Sequence, residues 1–264
     1  MLKIILIFIG LYALLVGALF VFQRNILFVP GKSKPIASAS LVPEMREITL
    51  LTSDGLSLYS WYYKGDEDKP IIIYFQGNAG TIFDRDYKAR YFIDLGYSFL
   101  MLGYRGYGGN PGDPSELGFN IDGEAALVFA KNSGFKISQT ILYGESLGTG
   151  VSVNLAINYD IHSLILEAPY TSIEKIASER YWFVPVHYLL KDSFDSLSRI
   201  DKITAPLLIM HGDQDKIINI KYGKELFSQA PEPKKIHIFE GAGHADLFDY
   251  KAGEVVNSFI LSRK

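Results

Sequence analysis

Apolar and polar positions follow two unlike regimes along this chain. From Ile4 to Phe22 the sequence IILIFIGLYALLVGALFVF contains no charged residue. At about 1.5 Å per residue, a helix of that length covers roughly the ~30 Å hydrocarbon core of a bilayer. Residues 1–24 therefore read as a single-pass N-terminal transmembrane anchor. A cleaved signal peptide is the competing reading, with Val16-Gly17-Ala18 as a small-residue site. Against it, the apolar run continues to Phe22, where a signal's shorter hydrophobic region would already have ended. Residues 25–45, including the Ser-, Pro- and Ala-rich stretch from Gly31 to Ser40, read as a tether. Arg24, Lys32 and Lys34 follow the helix and Lys3 precedes it, which leans toward a cytoplasmic location for the remainder.

From 46 to 264 short β runs alternate with stretches of helical period. Arg46–Leu51 and Leu56–Tyr63 flank the turn signal Ser53-Asp54-Gly55 and predict an antiparallel hairpin. Pro70–Phe75 is a continuous apolar run, as a strand buried on both faces requires. Ser98–Leu102, Thr140–Tyr143, Ser163–Glu167, Pro206–Met210 and Lys235–Phe239 share that character. Between them, 84–95, 122–132, 149–158, 221–229 and 247–261 have the spacing of helices. Strand–helix alternation of this kind predicts an α/β fold, with a mainly parallel central sheet flanked by helices. No period of 20–50 residues recurs, which argues against a solenoid or propeller.

Composition narrows the chemistry by exclusion. A formal net charge of -3 and a pI near 6.0 leave no basic footprint, so nucleic acid is not an expected partner. The chain contains no cysteine, which rules out disulfides, cysteine metal sites and thiol nucleophiles. Its five histidines are scattered and none has metal-ligand spacing such as HExxH. With no nucleotide loop either, no metal or organic cofactor is expected.

What remains is a serine nucleophile. Gly144-Glu145-Ser146-Leu147-Gly148 is a GxSxG pentapeptide between an apolar strand and a helical stretch, the context of a nucleophile elbow. Its glycines allow a tight turn that lifts the Ser146 hydroxyl above the sheet. That hydroxyl needs a base, and the base needs an orienting acid, in chain order serine, acid, histidine. His244, in the loop Gly241–Asp246 after the last strand, is the expected base. His237 lies within a strand, and His211 is expected to brace the turn that follows it. For the acid, Asp213 and Asp215 compete, with Asp246 more distant. A tight turn after Gly212 brings Asp215 nearer the histidine loop and leaves Asp213 to bond its own backbone. Oxyanion donors are expected from the backbone amides of Leu147 and of Asn78, the latter in the loop after Pro70–Phe75.

GNAG, YRGYGGNPGDPSE from Tyr104 to Glu116, GESLGTG, HGDQD and GAGH together resemble the α/β-hydrolase superfamily in identity, order and spacing. Within it they resemble the membrane-anchored branch that includes the protein depalmitoylases and their bacterial relatives, from about Gln23 to the C-terminus. The resemblance implies an α/β-hydrolase fold with a small cap, a triad of Ser146, Asp215 and His244, and an oxyanion hole at Asn78 and Leu147. It also implies a serine hydrolase acting on ester or thioester bonds of small-molecule, lipid or acylated-protein substrates. Two positions depart from the pattern. Gln76 stands where relatives usually have histidine, and Gly103 where they often have an acid. Arg105 is expected to pair with Glu116 or Asp122. The aromatic-rich stretch from Tyr170 to Ile200 is either an apolar wall for an acyl chain or simple packing on the sheet edge. A catalytically silent interaction module should have lost a member of the triad, and a peptidase on this fold usually carries a propeller or large cap for which the chain lacks room.

Overall fold

In a computed structural model, which describes residues 1–262, the apolar leader is a single helix, α1 (Leu2–Leu27). Of the 46–264 span expected to form the catalytic domain, residues 263 and 264 lie outside the described residues. The next stretch is less loose than a tether. Phe28 is buried in the core, β1 (Val29–Pro30) pairs with a later loop, and Val42 and Met45 are buried. Its small and apolar side chains have a surface to cover, so the segment lies along the domain.

The hairpin follows as β2 (Arg46–Leu51) and β3 (Ser57–Tyr63), with Leu51 opposite Ser57. After it come β4 (Ile71–Phe75), β5 (Ala79–Gly80, the partner of β1), α2 (Asp86–Asp94) and β6 (Ser98–Met101). Helix α3 (Glu116–Asn132) starts six residues before its periodic apolar stretch, because Ser115 caps it by accepting from the Gly118 amide at 3.0 Å. Then follow β7 (Thr140–Glu145), α4 (Gly148–Ala156), β8 (Ser163–Glu167), α5 (Ile173–Arg180), α6 (Val186–Leu189), β9 (Leu207–Gly212), α7 (Ile220–Gln229) and β10 (Lys234–Phe239). The last expected helix is broken in two: a 3-10 turn at Leu247–Tyr250, left-handed Lys251 at φ 69, then α8 (Ala252–Leu261).

Eight strands form one sheet in the order β10-β9-β8-β7-β4-β6-β3-β2, parallel except for β3. Alternation along β4 sorts its side chains onto two cores. Ile71, Ile73 and Phe75 meet the layer containing Phe119, Val151 and Leu226. Ile72 and Tyr74 meet the layer containing Phe92, Val256 and Phe259. Both faces are thus covered by helices, which is why these strands read as continuous apolar runs. From β4 the chain crosses to β6 on one side and then returns to β7 on the other. Strand order therefore reverses between β4 and β7, and sheets of this kind open a crevice beyond the carboxyl ends at that point.

Candidate active site

The turn between β7 and α4 holds Ser146 at φ 50, a left-handed conformation unusual for a residue with a Cβ. Its neighbours must be small. A Cβ on Gly144 would strike the Ser152 hydroxyl and the Gly148 carbonyl, and one on Gly148 would strike the Phe75 carbonyl. The strained turn is anchored by the Ser146 amide, which donates to the Glu167 carbonyl at 2.8 Å.

His244 Nε2 lies 2.9 Å from Ser146 Oγ, and His244 Nδ1 lies 2.7 Å from Asp215 Oδ2. A carboxylate can only accept, so the proton sits on Nδ1 and the Nε2 lone pair faces the serine hydroxyl. Asp215 is fixed in turn. Its Oδ1 accepts from the amides of Ile217 and Ile218, both at 2.8 Å, and His211 Nε2 stands 3.3 Å from Oδ2. Burial alone would raise the Asp215 carboxyl, but the hydrogen bonds from His211 and His244 outweigh it and hold the group below the usual carboxylate range. His211, fully buried, also bonds the Ile218 carbonyl at 2.8 Å and so braces the acid loop. Asp213 behaves otherwise than the sequence suggests. It accepts from the Gly241 amide at 2.8 Å, tying the acid loop to the histidine loop instead of bonding its own backbone.

The loop after β4 abuts the elbow: a Cβ on Gly77 would lie 3.4 Å from that of Ser146. Asn78 is held by its own side chain, which donates to the Leu27 carbonyl at 3.0 Å, and by its carbonyl, which accepts from Val29 and from the Tyr107 hydroxyl. Asn78, Ser146 and Leu147 line the floor of one cavity of about 370 Å³, within the ordinary size of a small-molecule site. Gln76 is buried, and among the described residues its side-chain amide has no partner. Arg105 pairs with Asp122 at 2.7 Å and with Asp54 at 2.7 Å, whereas Glu116 binds Arg199 at 3.1 Å. Among the described residues, no group of three or more His, Asp or Glu side chains is disposed to hold a metal ion.

Beneath the elbow lies a charged cluster that sequence reasoning missed. Lys88 of α2, fully buried, binds Glu145 and both carboxylate oxygens of Glu167, the latter at 2.9 Å. Arg85 holds the other oxygen of Glu145 at 2.9 Å, and Tyr74 and Tyr143 donate to Glu145 and Glu167. Burial pushes the Glu145 carboxyl up, yet the charges of Lys88 and Arg85 prevail and hold it low. The signal was present: Glu145 and Glu167 end adjacent apolar strands in direct register, and two carboxylates so placed call for a buried cation.

Sheet order, crossover and elbow define the architecture of an α/β hydrolase, and comparison with known proteins agrees. The chain is 34% identical over 230 residues to an uncharacterized protein of Mycobacterium tuberculosis, spanning 85% of this chain and 81% of that one. It is 31% identical over 239 residues to alpha/beta hydrolase domain-containing protein WAV2 of Arabidopsis thaliana, covering 81% and 78%. A family model described as serine aminopeptidase, S33, matches residues 186–251. The esterase Pf2001 of Pyrococcus furiosus superposes with a TM-score of 0.73 over 89% of this chain and 98% of that one. Its 16% identity makes the likeness one of fold. The chain belongs to the α/β-hydrolase superfamily.

Proposed function

We propose that this protein is a membrane-anchored serine hydrolase that cleaves carboxylic ester or thioester bonds of acyl lipids or acylated proteins. The observation that carries the reading is the unbroken relay from Asp215 through His244 to Ser146 at the floor of an apolar cavity. His244 Nε2 takes the Ser146 proton as Oγ attacks the acyl carbonyl, and Asp215 stabilises the imidazolium that forms. The tetrahedral oxyanion is met by the Leu147 and Asn78 amides. Collapse expels the alcohol or thiol, which takes the proton from His244. Water, deprotonated by the same imidazole, then releases the acid from the acyl-enzyme.

Helix α1, 26 residues with no buried side chain and an 18-residue stretch of mean hydropathy 2.9, is long and apolar enough to serve as the anchor. Arg24, Lys32 and Lys34 after α1, against Lys3 and the amino terminus before it, lean toward a cytoplasmic domain under the positive-inside rule.

The test is labelling by a fluorophosphonate probe, wild type against Ser146→Ala, followed by thioesters of graded chain length. Labelling that vanishes in the variant and turnover that rises with acyl length are expected. A folded wild type that takes no label would sink the hydrolase reading.

A further inference from the structure

The wall of the cavity opposite the elbow is α1 itself. Leu19, Gln23, Ile26 and Leu27 line it, spaced as one helix face, together with Phe20. The facing wall is the cap, with Ile173, Ile176, Tyr181 and Val184. The two walls are fastened together. Arg24 makes a two-pronged pair with Asp192, Nε to Oδ2 at 2.7 Å and Nη2 to Oδ1 at 3.1 Å. Gln23 donates to the Leu189 carbonyl at 3.2 Å and accepts from the Lys191 amide at 2.8 Å. Further toward the N-terminus, the Tyr12 hydroxyl donates to the Phe183 carbonyl at 2.7 Å.

Tyr12 and Gln23 are eleven residues apart, about 16 Å along a helix. The cap therefore runs beside α1 over roughly half of a ~30 Å hydrocarbon layer. Its sequence there, YWFVPVHYLL from Tyr181 to Leu190, contains no Asp, Glu, Lys or Arg. Trp182 and Tyr188 point outward, 82% and 84% exposed. Tyr170 and Phe194 of the same aromatic-rich stretch do pack into the core, but rings as exposed as those of Trp182 and Tyr188 are not packed on a sheet edge. These two continue the unburied apolar surface of α1, and amphipathic rings of this kind favour the membrane interface.

We infer that the cap segment 181–190 enters the bilayer beside α1, and that the substrate's acyl chain passes from the lipid into the cleft between them to reach Ser146. On this view α1 is a wall of the acyl site as well as a tether. The inference rests on Ser146 being the nucleophile.

Two measurements on the full chain in phosphatidylcholine vesicles test it. Trp61 and Trp182 are the protein's tryptophans, and Trp61 is buried. Lipids brominated along their acyl chains should quench a component of the emission that disappears in Trp182→Phe. Quenching of that component by aqueous acrylamide alone overturns insertion. For the path, kcat/KM is compared for hexadecanoyl and butanoyl thioesters in Leu19→Trp and Val21→Trp, the latter on an outward face of α1 at similar depth. The hexadecanoyl-to-butanoyl ratio should fall about 30-fold in Leu19→Trp, as if ~2–3 methylenes no longer found a place, and stay within about twofold in Val21→Trp. Equal ratios in both variants, with fluorophosphonate labelling of Ser146 intact, overturn the acyl path and leave the hydrolase standing. Absence of labelling in the wild type overturns both.

Discussion

Lys88→Met removes the cation from the cluster beneath the elbow without changing side-chain length much. Lys88, Glu145 and Glu167 side chains are 1%, 6% and 0% exposed, so water does not screen what is left behind. Arg85 still pairs with Glu145, and Glu167 keeps only the Tyr143 hydroxyl. One carboxylate is thus stranded. Stranding a buried charge costs about 3–5 kcal/mol, and the surviving hydrogen bond argues for the lower end, about 3 kcal/mol. For a chain of this size that lowers the apparent Tm by roughly 6–12 °C. The difference should also depend on pH. Glu145 is held low against its burial by Lys88 and Arg85. Its stabilisation is complete above the unfolded pKa of about 4.3 and is lost as pH falls through the folded value. Acid takes that contribution from the wild type, whereas the variant has already lost the part due to Lys88, so the gap narrows below about pH 4. The assay is thermal unfolding of the full chain in detergent, followed by circular dichroism at about pH 7 and pH 3.5. A Tm loss under about 3 °C at neutral pH, or an equal gap at both, would refute the reasoning.

Two further outcomes follow from the same geometry. Asp215→Asn should lower kcat/KM by about 10³–10⁴, the scale known for the orienting aspartate of the chymotrypsin triad, with little change in KM in a steady-state ester assay; unchanged turnover would remove Asp215 from the relay. Asp54, held at about 2 chiefly by its hydrogen bond from Arg105, contributes stability above about pH 4 that is lost as pH falls toward 2. In urea unfolding, Asp54→Asn should therefore trail the wild type by no more than about 1 kcal/mol at pH 5. The two should converge by about pH 2, and a constant difference across that range would count against the pairing.

The sequence determined what depends on near neighbours. Apolar runs such as Ser163–Glu167 reappear as strands with the same bounds, because a strand covered on both faces leaves no room for polar interruptions. Ser146, Asp215 and His244 could be singled out as candidates because each follows a strand in a fixed order, within local signatures that need particular residues. That Ser146 and His244 lie 2.9 Å apart, though they are 98 positions apart in the chain, is decided by the crossover between β4 and β7 and by the pairing of β9 with β10.

Other features were illegible for the same reason. On an amphipathic helix Lys88 reads as solvated, and only the fold brings it to Glu167, 79 residues away. Asp213 accepts from the Gly241 amide of the histidine loop, a contact that depends on how two distant loops dock. The apolar leader announces its length and hydropathy, but not that its last two turns line the cavity above Ser146. Periodicity and motif chemistry act over a few residues, where the chain itself fixes the geometry. Buried ion pairs, cavity walls and loop docking depend on which distant surfaces exclude water from one another, and that is settled only when the sheet and its helices close.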